Sequence, residues 1–200
     1  MSLQSQIHPP YSVPMVVSAR DVAAVLRARQ PGLPNKKLHK LLYYCQGHHL
    51  AAFGYPLFSE SISAWDMGPV VGQLWGEEKH ENVPMPPPRE LGEAELNTIG
   101  YVLSRYGTLS GADLERLTHS EAPWRAADNM RKALGEKSAK IDPEWIKKDF
   151  DRKEAEDAED RPQVSQVALA QWLEGAQTRR SEARRPDKRE EILARLSQRG

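Results

Sequence analysis

His39, His48 and His49 lie close to the chain's single cysteine, Cys45. Cys45 and His49 are four residues apart, so a helix would put both side chains on one face, the spacing of two metal ligands. The surrounding pattern speaks against a metal. His39 falls on another face, no CxxC or HExxH accompanies the group, and the shared face is filled with leucine. A structural His–Cys pair in a core, with no metal and no cofactor, is the expectation. His119 followed by Glu121 would in principle allow general acid–base work. A turn histidine that bonds backbone and caps a helix explains the same residues. There is no Gly-rich phosphate loop, nucleophile elbow or triad order, so the sequence reads as that of a non-enzyme.

Cationic clusters are the other source of chemistry. Ser110 to Met130 has the outline of a helix-turn-helix, yet Glu121 and Asp128 dilute Arg125, Arg131 and Lys132 in its would-be recognition segment. Near the end of the chain Arg179, Arg180, Arg184, Arg185, Lys188 and Arg189 alternate with Glu182, Asp187, Glu190 and Glu191, which equally suits a solvated tail. Lys plus Arg and Asp plus Glu balance at 28 each, so no net field draws the chain to nucleic acid or to an anionic membrane. One cysteine excludes an internal disulfide and suits a reducing cytosol. With no signal pattern and no run of membrane-span length, a cytoplasmic protein without a membrane partner is expected.

These residues must be positioned by a fold, and with 39% hydrophobic and 28% charged residues the 200-residue chain reads as one globular domain plus an extension. Residues 1–17, with Pro9, Pro10 and Pro14, read as an irregular arm. Ser18 and Asp21 form a capping box for a helix ending near Arg29. From Asn35 a second helix carries a buried stripe of Leu38, Leu41, Leu42, Cys45, His49, Ala52 and Phe53, with Lys36, Lys37 and Lys40 largely off it, and Gly54 stops it. Leu57 to Trp65 reads as one strand or a small hairpin bent near Ser59 to Ser61, and Pro69 as the first residue of a third helix bearing Val70, Val71, Leu74 and Trp75. A proline-rich connection over residues 79–90 precedes helices at Leu91–Tyr106, after the Ser110/Asp113 capping box, through Arg125–Met130, and from Asp142-Pro143 with Trp145, Ile146 and Phe150 as apolar face. The fold class is mainly α: a compact multi-helix domain over 18–150 with a small β-hairpin or strand element, and a charged helical extension over 151–200 with an amphipathic helix near 164–177.

Two blocks of this sequence carry a family resemblance. The string KLHKLLYYCQGHHLAAFGYPLF followed by AWDMGPVVGQLW, and the later YGTLSGADLERLTHSEAPWRAA, resemble the Panacea domain of SocA-like antitoxins, also met in the phage-associated GepA family. Family-typical positions include Lys37, Lys40, Leu41, Tyr44, Gln46, Gly47, His49, Trp65, Gly68 and Pro69 in the first block, and Thr118, His119, Glu121, Pro123 and Trp124 in the second. They are read as fold determinants before contact residues. The family has glutamine where His39 stands and an aromatic where His48 stands, and the chain after Phe150 has no assigned counterpart.

The resemblance implies an antitoxin of a bacterial or phage-borne toxin–antitoxin system, with a role in phage defence, that neutralises a toxin encoded nearby by direct protein–protein binding. Partner contacts are expected at Trp65, Asp66 and Trp75, or at Trp172, Leu173, Arg179 and Arg180 of the extension. Rival expectations are a DNA-binding autoregulator on its own operator and an adaptor delivering the toxin to a protease. A homo-oligomer is a further candidate assembly.

Overall fold

The computed structural model describes residues 17–79 and 87–160. Along the chain run α1 (Ala19–Arg29), α2 (Asn35–Phe53), β1 (Ile62–Trp65), β2 (Gly68–Val71), α3 (Gly72–Lys79), α4 (Glu93–Tyr106), α5 (Gly111–Ser120), α6 (Ala122–Leu134), β3 (Ala139–Lys140) and α7 (Pro143–Asp160). The class is mainly α, with one antiparallel sheet in the order β2-β1-β3. The arm before Val17, most of the proline-rich connection and the segment proposed as an amphipathic helix near 164–177 lie outside the described residues.

The helix boundaries follow local chemistry. Ser18 accepts from the Asp21 N–H while Asp21 accepts from the Ser18 N–H, and Ser110 and Asp113 repeat the arrangement at α5. Gly54 ends α2 at φ 78°, and Asp142 takes the Glu144 N–H at 2.9 Å to open α7 at Pro143.

At Pro69 the structure departs from expectation. Gly68–Val71 is a strand, paired Ala64 to Pro69 and Trp65 to Gly68, and the helix begins only at Gly72. The hairpin turn is Asp66-Met67 rather than a bend near Ser59 to Ser61. Pro69 lies in an edge strand, where a missing N–H need not break a ladder, and the two valines after it favour extended backbone. Trp145 also differs: Ile146 and Phe150 are buried, whereas Trp145 is 42% exposed.

Around α2 are packed α1, β2, α4 and α5, and every residue from Leu38 to Leu50 is buried. The helix is thus enclosed on all sides rather than along one stripe, and Lys40, expected largely off the buried face, is 1% exposed. Polar residues inside it must find partners there. Gln46 does so most fully: its Oε1 accepts from the Leu57 and Phe58 N–H groups at 3.0 and 3.2 Å, and its Nε2 donates to the Phe58 carbonyl at 3.1 Å. This side chain acts as the missing strand partner for the segment entering the hairpin. Gln46→Ala leaves three buried backbone groups unpaired and is expected to cost about 2–4 kcal/mol, read by urea denaturation; a cost below about 1 kcal/mol would show that water replaces the amide.

Candidate functional site: a basic groove beside the hairpin

The start of α2, the β1–β2 hairpin, Trp75 of α3, Arg131 of α6 and the segment after α6 enclose a groove of about 960 Å³. Trp65, Met67, Val70 and Trp75 give it apolar walls, with the two indoles edge to face at 5.0 Å. Lys79 places its ammonium 3.5 Å from the Trp75 ring centre. Asn35, Lys36, His39, Lys40, Arg131 and Lys137, together with the carboxylates Asp66 and Glu136 and with Ser138, supply the polar lining.

Two of these cations are already neutralised. Lys36 is ion-paired to Glu115. Arg131, buried on α6, donates from Nε to Asp128 at 2.8 Å and from its terminal nitrogen to Asp66 at 2.5 Å, and Lys132 also holds Asp128 at 2.7 Å. Arg131 thereby ties the hairpin turn to α6 and fixes one side of the groove. Asp66 stays open to solvent, its side chain 85% exposed.

Lys40 is different. No hydrogen bond or ion pair joins its ammonium to any group among the described residues, although Glu115 attracts it from farther away. It lies directly under the hairpin: a Cβ added at Gly68 would stand 2.9 Å from Lys40 Cε and 3.0 Å from Nζ, and Gly68 itself has φ +105°. Glycine is required there both by conformation and by the lysine beneath it. Burial pushes the Lys40 pKa down to about 8, with Glu115 opposing and Lys36 assisting. The unfolded chain therefore binds this proton more tightly than the folded one. The charge is carried at a cost below about pH 8, which is relieved as pH rises toward the ordinary lysine value of 10.5.

His39 supplies a second unused donor. The Val71 N–H donates to His39 Nδ1 at 3.3 Å, and burial, with Lys40 and Arg27 adding to it, lowers the ring's pKa to about 4. The ring is neutral, so its proton sits on Nε2, which is buried and meets no acceptor among the described residues.

Trp65, Asp66 and Trp75 thus share one groove, while Trp172, Leu173, Arg179 and Arg180 lie outside the described residues. The other motif residues serve the interior. Leu41, Tyr44, Gln46, Gly47 and His49 are buried on α2, and His49 Nδ1 lies 2.9 Å from Thr98 Oγ1. Gly68 and Pro69 are buried in β2. Thr118 donates back to the Leu114 carbonyl at 2.9 Å. His119 does not cap a helix as expected; it stacks on Trp124 at 3.9 Å, and Glu121 and Pro123 form the start of α6. Glu121 turns to Tyr44 and Lys153, so the His119–Glu121 spacing yields no acid–base pair. Cys45 is fully buried, and burial raises its thiol pKa well above the usual range. Among the described residues no three His, Cys, Asp or Glu side chains gather at metal-binding distances.

The residues that sequence reasoning missed are Lys40, His39 and Arg131. A helical wheel sets Lys40 off the stripe because it counts one buried face, and only the family pattern singled that lysine out.

Residues 38–125 fit the family model Antitoxin SocA-like, Panacea domain, bearing out the resemblance. No curated protein and no solved structure matches the chain. The matched span runs from α2 into the start of α6, and so includes Lys40 and the hairpin but stops before Arg131 and Lys137. A domain of this kind supports an antitoxin role in general and suggests a non-enzymatic one.

Proposed function

Because residues 38–125 carry a SocA-like Panacea domain, we propose that this protein neutralises the toxin of a bacterial or phage-borne toxin–antitoxin module by binding it directly, in the cytoplasm. The observation that carries the reading is the groove beside the hairpin. Its walls hold two tryptophans in edge-to-face contact, the residue type that dominates binding energy when a partner covers it. The groove is the centre of the contact, within a patch of roughly 800 Å² on each partner. On α6, Arg131 and Lys132 are neutralised by Asp66 and Asp128, which weighs against an operator-binding surface there. Among the described residues no helix is long and apolar enough to cross a membrane.

The test is expression of the adjacent reading frame with and without this chain. The neighbour alone is expected to stop growth, and co-expression to restore it through a complex that copurifies. Trp75→Ala is expected to weaken that complex about thirtyfold with the fold intact by circular dichroism. Rescue by the wild type without any stable complex would remove direct binding as the mechanism.

A further inference from the structure

We propose that the floor of the groove is a carboxylate receptor, in which Lys40 takes an Asp, Glu or C-terminal carboxylate of the toxin while the adjoining apolar side chain of that segment lies against Trp65 and Trp75. The proposal rests on the antitoxin reading and adds to it the chemistry of the anchoring group.

Four features converge on it. Lys40 is buried to 99% of its surface as a residue, its ammonium has no carboxylate or carbonyl bonded to it, and holding that charge there is unfavourable in the free protein; a bound anion removes the penalty. His39 Nε2–H is a second donor without an acceptor, on a residue lining the same groove. The N-terminus of α2 opens beside them: Pro34 makes no side-chain cap and no acidic residue stands in the first turn, so the positive helix end is uncompensated. The walls are apolar around this cationic floor, which suits a carboxylate attached to a bulky hydrocarbon or aromatic body.

Charge counting selects a carboxylate over a nucleotide. Lys36 is neutralised by Glu115 and Arg131 by two aspartates, and Glu136 and Lys137 at the rim carry opposite charges that cancel in the count. Lys40, which shares the attraction of Glu115 with Lys36 but is bonded to no carboxylate, leaves one positive charge in excess. It matches one negative charge, whereas the several charges of a di- or triphosphate would be left largely unpaired.

Two measurements on the full chain test this. In the first, lysine side chains are carbon-13 labelled and the Lys40 ε-methylene signal, assigned with Lys40→Met, is followed through a pH titration with N-acetyltryptophan, its neutral amide, or ADP. The acid is expected to raise the Lys40 titration midpoint while the amide leaves it unchanged. Equal effects of acid and amide, or a larger effect of ADP, would overturn the carboxylate assignment. In the second, Lys40→Met is compared with wild type for binding the adjacent gene product. The variant is expected to melt no lower than wild type, because it removes an unpartnered buried charge, and yet to bind about thirtyfold or more weakly. Binding within about twofold of wild type would sink the receptor while leaving the antitoxin reading in place. A wild-type chain that neither binds nor rescues would instead overturn the antitoxin reading, and with it the toxin as the source of the carboxylate.

Discussion

Phe150→Ala is expected to lower stability by about 3–5 kcal/mol, enough to shift the thermal midpoint by roughly 10 °C. The ring is fully buried where α7 meets α2, edge to face with Tyr43 at 5.7 Å, Tyr44 at 6.1 Å and His48 at 4.9 Å. It is also the reason α2 holds a glycine at mid-length. A Cβ at Gly47 would stand 2.5 Å from the Phe150 ring, so an alanine that would ordinarily favour the helix by about 1 kcal/mol is excluded by the neighbouring ring. The two sites are therefore coupled. Gly47→Ala is expected to destabilise the wild type and to stabilise the Phe150→Ala background, where the methyl meets empty space. Urea denaturation of the four proteins of this double-mutant cycle measures the coupling, and additive effects would contradict it.

The second large effect is at Glu121, whose carboxylate is buried where α5 hands over to α6. Oε1 accepts from the Tyr44 hydroxyl at 3.1 Å and meets Lys153 Nζ of α7 at 2.8 Å. Glu121→Ala removes the anion and leaves the hydroxyl unpaired and Lys153 with Asp149 alone, and is expected to cost about 3 kcal/mol. Glu121→Gln keeps an acceptor for Tyr44 and is expected to cost about 1 kcal/mol. A pH signature separates the two causes. Burial raises the Glu121 pKa above its ordinary 4.5, with Lys153 and the tyrosine hydroxyls opposing. The folded chain thus holds this proton more tightly than the unfolded one, and the contribution to stability falls as pH rises through the window above 4.5. The glutamine variant lacks that segment of the profile. Denaturation midpoints across the acid range, compared between wild type and Glu121→Gln, provide the measurement.

Local signals were read well from the sequence because their chemistry is local. The two capping boxes, the Gly54 stop and the Asp142-Pro143 start each involve groups within a few residues of one another. Gly68-Pro69 was misread because Pro at a helix start and Pro in an edge strand look alike without the neighbouring strand, and that neighbour, β1, is defined only by its pairing. The short β3 carries no signal in two residues; its partner is Ser63-Ala64, far back in the chain. The site was half visible. Trp65, Asp66 and Trp75 stand out by type and spacing, but the burial of Lys40 and the neutralisation of Arg131 depend on Gly68, Asp66 and Asp128 coming together in space. No wheel of a single helix contains that information.

Complete enclosure of α2 has a consequence in time. Synthesis is vectorial, and the elements that cover this helix come from both sides of it: α1 and the hairpin lie close in sequence, but α4 begins at Glu93 and Phe150 arrives a hundred residues after Leu50. At translation rates of roughly 5–20 residues per second, this helix, with every residue from Leu38 to Leu50 buried in the finished fold, waits several seconds before its last cover exists. During that interval the same leucines and tyrosines that later make the interior are a sticky surface on a nascent chain. Slow translation thus lengthens the interval in which this segment is free to associate.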